Sequence, residues 1–178
     1  MTPNRMKVTA AQIIVGIADC QTSKDRNATL VTYALGSCVG IAVFDPASSV
    51  GGLLHVLLPE SSLDSDKAAR NPCMFADTGV VQLLNRCVEL GAAKSRLRVW
   101  LAGGSAVMDT RGIFNIGKRN QLAVRKALWK AGLLTLSEDL GGQGSRTVRL
   151  ELGTGTFWVR AAGADQELKS NAPFAKGV

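Results

Sequence analysis

Two apolar segments separated by a short polar turn are the feature that most constrains the fold. Residues 38–44 and 50–58 both have the composition of strands, and residues 45–49 between them contain an Asp-Pro pair and two serines, which are typical of turns. A connection of five residues is too short for a parallel crossover. The sequence therefore predicts an antiparallel β-hairpin.

The register of this hairpin decides which side chains share a face. A five-residue loop allows Phe44 to pair with Val50 or with Gly51. The second register places His55 directly opposite Gly40, which has no side chain to block the imidazole. A slip of one residue would turn His55 to the opposite face of the hairpin.

The second register also brings Cys38 and His55, the chain's only histidine, onto one face as diagonal neighbours, about 7–8 Å apart. A thiol becomes a good nucleophile when a base removes its proton, and an imidazole is the usual base. This pair indicates a cysteine hydrolase. Thr32, in the preceding predicted strand at residues 30–35, is the candidate for orienting the histidine.

Gly36 and Ser37 predict a tight turn between that strand and Cys38. A sharp turn leaves backbone N–H groups without partners. The amides of this turn, around Ser37 and Cys38, are therefore candidates for stabilising an oxyanion during acyl transfer.

These residues belong to blocks that resemble the signature of the chemoreceptor glutamine deamidases, the CheD family. The blocks are Thr32 and residues 35–39, 45–46, 51–59, 102–108, 115–120 and 139–146. The resemblance spans residues 8–160. Two positions depart from it: Phe75 stands where a tyrosine is expected, and Ser105 replaces a commoner alanine.

The resemblance implies a catalytic set of Cys38, His55 and Thr32. Since the sequence has one histidine and no CxxC pattern, we expect no metal site, and we expect no cofactor. It implies hydrolysis of glutamine side-chain amides to glutamate through a cysteine thioester, during chemotaxis adaptation. The substrate would be the cytoplasmic domain of a methyl-accepting chemoreceptor. A rival role is that of a non-catalytic binding partner that stimulates a CheC-type response-regulator phosphatase. A papain-like protease fits less well, because the spacing from Cys38 to His55 is short.

The rest of the chain predicts an α+β fold with two main helices, and the resemblance implies a layered α/β sandwich with mixed or antiparallel sheets. Apolar residues at helical spacing predict helices at 77–90 and 117–131. Trp129 falls in the second helix, where core packing is the simpler interpretation. Further strands are predicted at 11–18, 97–101, 133–136, 147–152 and 156–161, with loops at 61–71 and 137–146.

No linker divides the sequence, so we expect one deamidase domain over residues 1–178, with an ordered core at about 8–162 and a flexible tail at 163–178. The resemblance further implies a likeness to the catalytic domain of the cytotoxic necrotizing factor toxins.

Composition narrows the partners and the compartment. The chain carries 21 Lys and Arg against 14 Asp and Glu, a net charge of +7, but the basic residues are dispersed and have few aromatic neighbours. This pattern offers few base-stacking platforms for nucleic acid; an ordinary solvated basic surface is the simpler interpretation, and attraction to an acidic receptor is the more specific one. No apolar run approaches a membrane span, so we expect no membrane insertion and a cytoplasmic location. Cys20, Cys73 and Cys87 fit no zinc pattern and are expected to be buried thiols.

Overall fold

The computed structural model describes residues 11–107 and 115–169 of the 178-residue chain. In chain order the strands are β1 (Ala11–Ile14), β2 (Cys20–Ser23), β3 (Ala28–Leu35), β4 (Val39–Asp45), β5 (Val50–Val56), β6 (Arg98–Gly103), β7 (Ser137–Leu140), β8 (Arg146–Glu151), β9 (Thr156–Ala161) and β10 (Ala164–Glu167). The helices are α1 (Ser65–Arg70), α2 (Ala76–Glu89) and α3 (Ile116–Lys130). Three single-turn 3-10 helices lie at Ser61–Leu63, Pro72–Met74 and Lys94–Arg96.

The strands form two five-stranded sheets. The first sheet has the order β1-β3-β8-β9-β10, and the second has the order β2-β5-β4-β6-β7. Each contains one parallel pair, β1 with β3 and β6 with β7, and the remaining pairs are antiparallel. The predicted class, α+β with mixed sheets, is therefore confirmed.

The second sheet is the middle layer of three. Ala42 and Leu53 on one of its faces pack with Leu30 and Leu150 of the first sheet. Its other face packs against α2 and α3; the residues in this second core include Ile41, Leu54, Leu83 and Val124. The two main helices thus cover the sheet on the side away from the first sheet. The likeness to the necrotizing factor toxins stays a prediction.

The hairpin of β4 and β5 has the second of the two predicted registers. Phe44 pairs with Gly51, and Gly40 pairs with His55. The register is strongly specified because both faces of the hairpin are buried, so a slip by one residue would exchange the two cores.

Two predicted boundaries in the C-terminal third are wrong. Residues 133–136 are not a strand; the strand is β7, inside the predicted loop, where Ser137 pairs with Trp100 of β6. The ordered core also extends beyond residue 162, because β10 pairs with β9 and the indole N–H of Trp100 donates to the carbonyl of Leu168 at 3.0 Å. Residues 8–10 and 108–114 of the predicted core and 170–178 of the predicted tail lie outside the described residues.

Three further differences are local. β1 ends at Ile14 rather than at residue 18, and residues 17–18 form a turn in which Ala18 has φ 56°. The predicted loop at 61–71 contains the short helix α1. Trp129 is 75% exposed, so its predicted packing role is wrong.

The predicted burial of Cys20, Cys73 and Cys87 is confirmed. Among the described residues, no helix combines the length and apolarity that a membrane crossing requires.

Candidate active site

Cys38 lies in the bend that connects β3 to β4. A β-bulge between Thr32 and Leu35 shifts the register of β3, and Ala34 within it has φ 57°. Both Thr32 and Leu35 are consequently buried, although they lie three positions apart along the strand. The Cys38 side chain is 8% exposed and packs in the core between the two sheets. The bulge therefore lets the chain turn sharply while Thr32 and Cys38 both face the same layer.

His55 reaches this layer from β5. Its partner Gly40 faces the first sheet, since a Cβ added there would lie 2.8 Å from Leu35 Cδ1 and 3.6 Å from Val148 Cγ2. The His55 side chain is fully buried. Cys38 and His55 thus share the space between the sheets, on neighbouring segments, as the second register predicts.

The hydrogen bonds of Thr32 determine the tautomer of His55. The Thr32 hydroxyl donates its single proton to the carbonyl of Val15 at 2.7 Å, because a carbonyl can only accept. The same oxygen lies 2.7 Å from His55 Nδ1, so it must accept a proton from that nitrogen. Nδ1 therefore carries the hydrogen. Nε2 keeps its lone pair, and no hydrogen-bond partner for it occurs among the described residues.

Burial sets the charge state of the pair. Loss of solvent lowers the pKa of His55 from 6.5 to about 4. Burial also raises the pKa of the Cys38 thiol above 9.0, an effect that its own backbone N–H partly offsets. At neutral pH the resting pair is therefore a neutral thiol beside a neutral imidazole, and the histidine is in the form that accepts a proton.

The carbonyl groups of Gly36, Ser37 and Cys38, in the turn before β4, all accept hydrogen bonds. Gly36 O accepts from Ser105 N at 2.8 Å, Ser37 O accepts from Asn120 Nδ2 at 2.9 Å, and Cys38 O accepts from Gly104 N at 2.7 Å. Because each peptide unit is planar, these bonds also fix the directions of the amides that follow.

The amides of the same turn differ in availability. Gly36 N–H donates to the carbonyl of Ala34 at 2.9 Å, so Gly36 shapes the turn but offers no free donor. The N–H groups of Ser37 and Cys38 donate to no oxygen within the described parts of the chain. The predicted oxyanion donors thus reduce to these two amides.

Glycines allow the surrounding backbone to approach the turn closely. Gly103 has φ 107°, and a Cβ at this position would collide with the carbonyl oxygen of Cys38. A Cβ at Gly117, in the first turn of α3, would collide with the carbonyl of Ser105. The Gly103–Gly104 pair is therefore a support for the Cys38 turn, which explains its glycines without an anion-binding role.

A cleft of about 390 Å³ opens beside the turn. It is lined by Ser37 from the turn, by Gly104 and Ser105 from the following loop, and by Gly117, Lys118 and Gln121 from α3. Cys38 is not among its described lining residues, which agrees with the small exposed fraction of the thiol. The cleft ends one residue away from the candidate nucleophile.

Asn120 is a site residue to which the sequence assigned no role. It is fully buried on α3, and its side chain contacts the turn of Cys38 and the end of β5. The sequence feature that could have identified it is its position as a polar residue on the helix face that also carries the buried residues Ala123 and Val124.

The comparisons with known proteins agree with the resemblance. A family model described as CheD chemotactic sensory transduction matches residues 57–161. A probable chemoreceptor glutamine deamidase CheD of Solibacter usitatus is 48% identical over 91% of this chain and 96% of its own length. Proteins of the same description from Syntrophus aciditrophicus and Pyrococcus horikoshii are 48% and 40% identical over 85% and 84% of this chain, and over 94% and 91% of their own lengths.

The family-model match begins after His55, so it does not include the three candidate catalytic residues. The alignment to the Solibacter protein covers 162 of the 178 residues of this chain, so it includes positions 32–55. Among solved structures, the Bacillus licheniformis hypothetical protein YfiH covers 70% of this chain and 51% of its own at 10% identity and a TM-score of 0.42, a likeness too weak to assign a fold. On the strength of the family model and these relatives, the chain belongs to the CheD family.

Proposed function

We propose that this protein is a cysteine-dependent chemoreceptor glutamine deamidase, a protein-glutamine glutaminase. The observation that carries the proposal is the bond between Thr32 and His55, which leaves the lone pair of Nε2 available in the layer that Cys38 occupies. A nucleophile, a base of fixed tautomer and two amides that donate to no oxygen in the described parts of the chain are the parts that acyl transfer from an amide requires. The names of the relatives supply the substrate class.

Acylation begins when Cys38 Sγ attacks the carboxamide carbon of the glutamine and His55 Nε2 takes the thiol proton. The carbonyl electrons move to oxygen, where the N–H groups of Ser37 and Cys38 stabilise the charge. As the tetrahedral species collapses, the imidazolium returns its proton to the nitrogen and ammonia leaves. The product is a thioester between Cys38 and the substrate.

Deacylation uses the same groups with water as the nucleophile. His55 Nε2 removes a proton from water as its oxygen attacks the thioester carbon. The C–S bond then breaks, and the proton passes to the Cys38 sulfur. The receptor side chain is released as glutamate, and the enzyme returns to its neutral resting state.

The low pKa of His55 suits this cycle. Because burial favours the neutral imidazole, His55 is a base before substrate arrives, and its imidazolium is a strong acid that readily protonates the departing nitrogen. The amide nitrogen is a poor leaving group unless it is protonated. The acidity of the His55 imidazolium therefore matters as much as the basicity of the neutral imidazole.

The proposed substrate is the cytoplasmic domain of a methyl-accepting chemoreceptor, and we propose a cytoplasmic location for the same reason. The cleft beside Ser37 has the volume to admit a glutamine side chain, and Lys118 on its wall adds positive charge. The net charge of +7 favours an acidic receptor surface.

The decisive experiment incubates the purified protein with an unmodified receptor cytoplasmic domain and follows the amide-to-acid mass change by peptide mass spectrometry. Wild-type protein should convert specific glutamines. Cys38→Ala and His55→Ala should not, while Cys87→Ala, which removes a buried thiol from the other core, should retain activity if it folds. Full conversion by Cys38→Ala would refute the proposal.

A second candidate function is binding to a CheC-type phosphatase. It is favoured by Trp129 and Leu122, which lie seven residues apart on the outer face of α3 and are both largely exposed. Large apolar side chains exposed together are common at protein interfaces. Size-exclusion chromatography with the phosphatase should show a complex that Trp129→Glu weakens and Cys38→Ala does not. Absence of a complex at micromolar concentrations would refute this second role.

A further inference from the structure

Asn120 connects the nucleophile turn to the strand that carries the histidine. Its Nδ2 group donates to Ser37 O at 2.9 Å and to Leu57 O at 3.0 Å. Both partners are carbonyls, which only accept, so the orientation of the amide is determined and both of its hydrogens are used. One side chain thus contacts the residue before Cys38 and the residue two positions after His55.

The contact with Ser37 acts on the proposed oxyanion site through the peptide plane. Ser37 C=O and Cys38 N–H belong to one trans peptide unit and point in opposite directions. A donor that holds the carbonyl on one side therefore aims the Cys38 N–H to the other side. Ser105 N holds Gly36 O in the same way and so aims the Ser37 N–H, but that donor is a backbone group. Asn120 is the side chain that performs this task.

The contact with Leu57 acts on the histidine side. Val56 is the last residue of β5 and pairs with Val39, the residue after Cys38. Asn120 binds both Ser37 O and Leu57 O. It therefore joins the segment before β4 to the segment after β5, just beyond the last pair of the β4–β5 ladder. The separation of Cys38 from His55 is therefore constrained by a side chain from a third element, α3.

The remaining atom of Asn120 argues against a purely structural role. Its Oδ1 is buried and has no hydrogen-bond partner among the described residues. A buried acceptor without a partner costs free energy, so an asparagine here is a poor choice for stability alone. The arrangement is explained if the two donors are what the site needs.

We propose that Asn120 is a positioning residue for the deamidation reaction: it orients the Cys38 N–H toward the oxyanion and fixes the turn relative to β5. This inference rests on the proposed function. Loss of both donors should lower kcat about tenfold to a hundredfold, less than or similar to the loss of a direct oxyanion donor. KM should change little, because Asn120 is not a lining residue of the cleft.

Two variants of nearly equal size separate orientation from packing. Asn120→Leu removes the donors at all pH values. Asn120→Asp presents oxygens to two carbonyls when ionised but regains one donor when protonated, and burial favours the protonated form. The ratio of its kcat to that of wild type should therefore fall as pH rises from about 5.5 to about 8, because a carboxyl whose pKa is raised by burial ionises as pH increases. The ratio for Asn120→Leu should stay flat. Arg125→Gln, an exposed substitution on the same helix, is the matched control.

Alkylation of Cys38 by iodoacetamide supplies a readout independent of deamidation. This displacement forms no oxyanion, so Asn120→Asp should react within about twofold of wild type if the turn keeps its fold. Wild-type kcat in both variants, or a loss in Asn120→Asp that does not vary with pH, would overturn the role of Asn120. If Asn120→Leu does not fold, the pH dependence of Asn120→Asp decides. Failure of wild-type protein to deamidate would instead refute the proposed function itself.

Discussion

Gly40 faces His55 across the β4–β5 ladder, and the side chain of Leu35 occupies the space that a Cβ at Gly40 would need. An alanine methyl would lie 2.8 Å from Leu35 Cδ1, so Leu35 must shift, and Leu35 directly precedes the turn of Cys38. We expect Gly40→Ala to lower the free energy of unfolding by about 1–2 kcal/mol and to reduce kcat. Urea unfolding and turnover measurements test this.

Gly144 supplies the control for that substitution. A Cβ there meets nothing within 4 Å, and its backbone lies outside the left-handed region. Gly144→Ala should leave stability and turnover near wild type. Equal behaviour of the two variants would show that the close contact at Gly40 has no functional consequence.

Thr32→Val tests the assignment of the histidine tautomer. The substitution keeps the shape of the side chain but removes the acceptor for His55 Nδ1–H and the donor to Val15 O. Without the acceptor, the proton is no longer held on Nδ1 and Nε2 is no longer reserved as the base. We expect kcat to fall by at least about tenfold, within the range that general-base catalysis contributes.

Thr32→Ser retains the hydroxyl and should keep most of the turnover. Nitrogen-15 NMR of the imidazole reports the tautomer directly, with the proton on Nδ1 in wild type. A proton found on Nε2 would contradict the geometry described here, whatever the kinetics of the two variants.

Local residue patterns were sufficient to predict the parts of the site that belong to one hairpin. The turn at residues 45–49 restricts the register to two choices, and one of them places His55 on the face of Cys38. Thr32 could be proposed as the orienting residue because it lies in the predicted strand before the Gly36–Ser37 turn and at a position that the resemblance includes in the catalytic set. Its hydrogen bond to Val15 could not be foreseen, because it depends on how β1 packs beside β3.

Contacts between distant segments were the part that sequence patterns could not predict. Asn120 contacts Ser37 across 83 residues, and no periodicity in α3 indicates what its buried face will meet. β7 was missed for a different reason. Its Ser-Glu-Asp-Leu sequence has almost no strand propensity, and it pairs because β6 offers a parallel edge. Residues 133–136 were predicted as the strand instead, because they are more apolar.

The depressed pKa of His55 makes the stability of the fold depend on pH. In the unfolded chain the imidazole binds a proton below its ordinary value of 6.5, whereas in the folded chain it does so only below about 4. The free energy of unfolding should therefore decrease as pH falls from about 6.5 to about 4, by about 3 kcal/mol from this group. His55→Gln should lack this component. Identical pH dependence in the two proteins would contradict the assignment.

The thiol of Cys38 should be unreactive at neutral pH in the absence of substrate. Its pKa lies above 9.0 because of burial, and the neutral His55 provides no positive charge to stabilise a thiolate. Iodoacetamide should modify Cys38 slowly at pH 7, with a rate that rises through pH 9 and beyond. A rate plateau near neutral pH would instead indicate a preformed thiolate–imidazolium pair and would change the first step of the mechanism.

Asp45 stabilises the far end of the hairpin, so its removal should separate stability from chemistry. Its buried carboxylate accepts from Arg96 at 2.9 and 2.6 Å, from the amides of Ala93 and Ala47 at 2.9 and 3.0 Å, and from Ser48 at 3.0 Å. These donors, Arg96 above all, hold the pKa of Asp45 far below 3.8, so the stabilisation is present above that pH and declines as pH falls below it.

Asp45→Asn should therefore lower the free energy of unfolding at pH 7 by about 2 kcal/mol, because it weakens charge-assisted bonds and turns an amide N–H₂ toward existing donors. Since β4 places Asp45 about 20 Å from Cys38, kcat measured well below the melting temperature should stay near wild type. Arg96→Gln should reproduce part of the loss. A variant with unchanged stability but reduced kcat would mean that the hairpin transmits a distortion along its full length, so that the geometry of Cys38 and His55 depends on the turn as well as on the register.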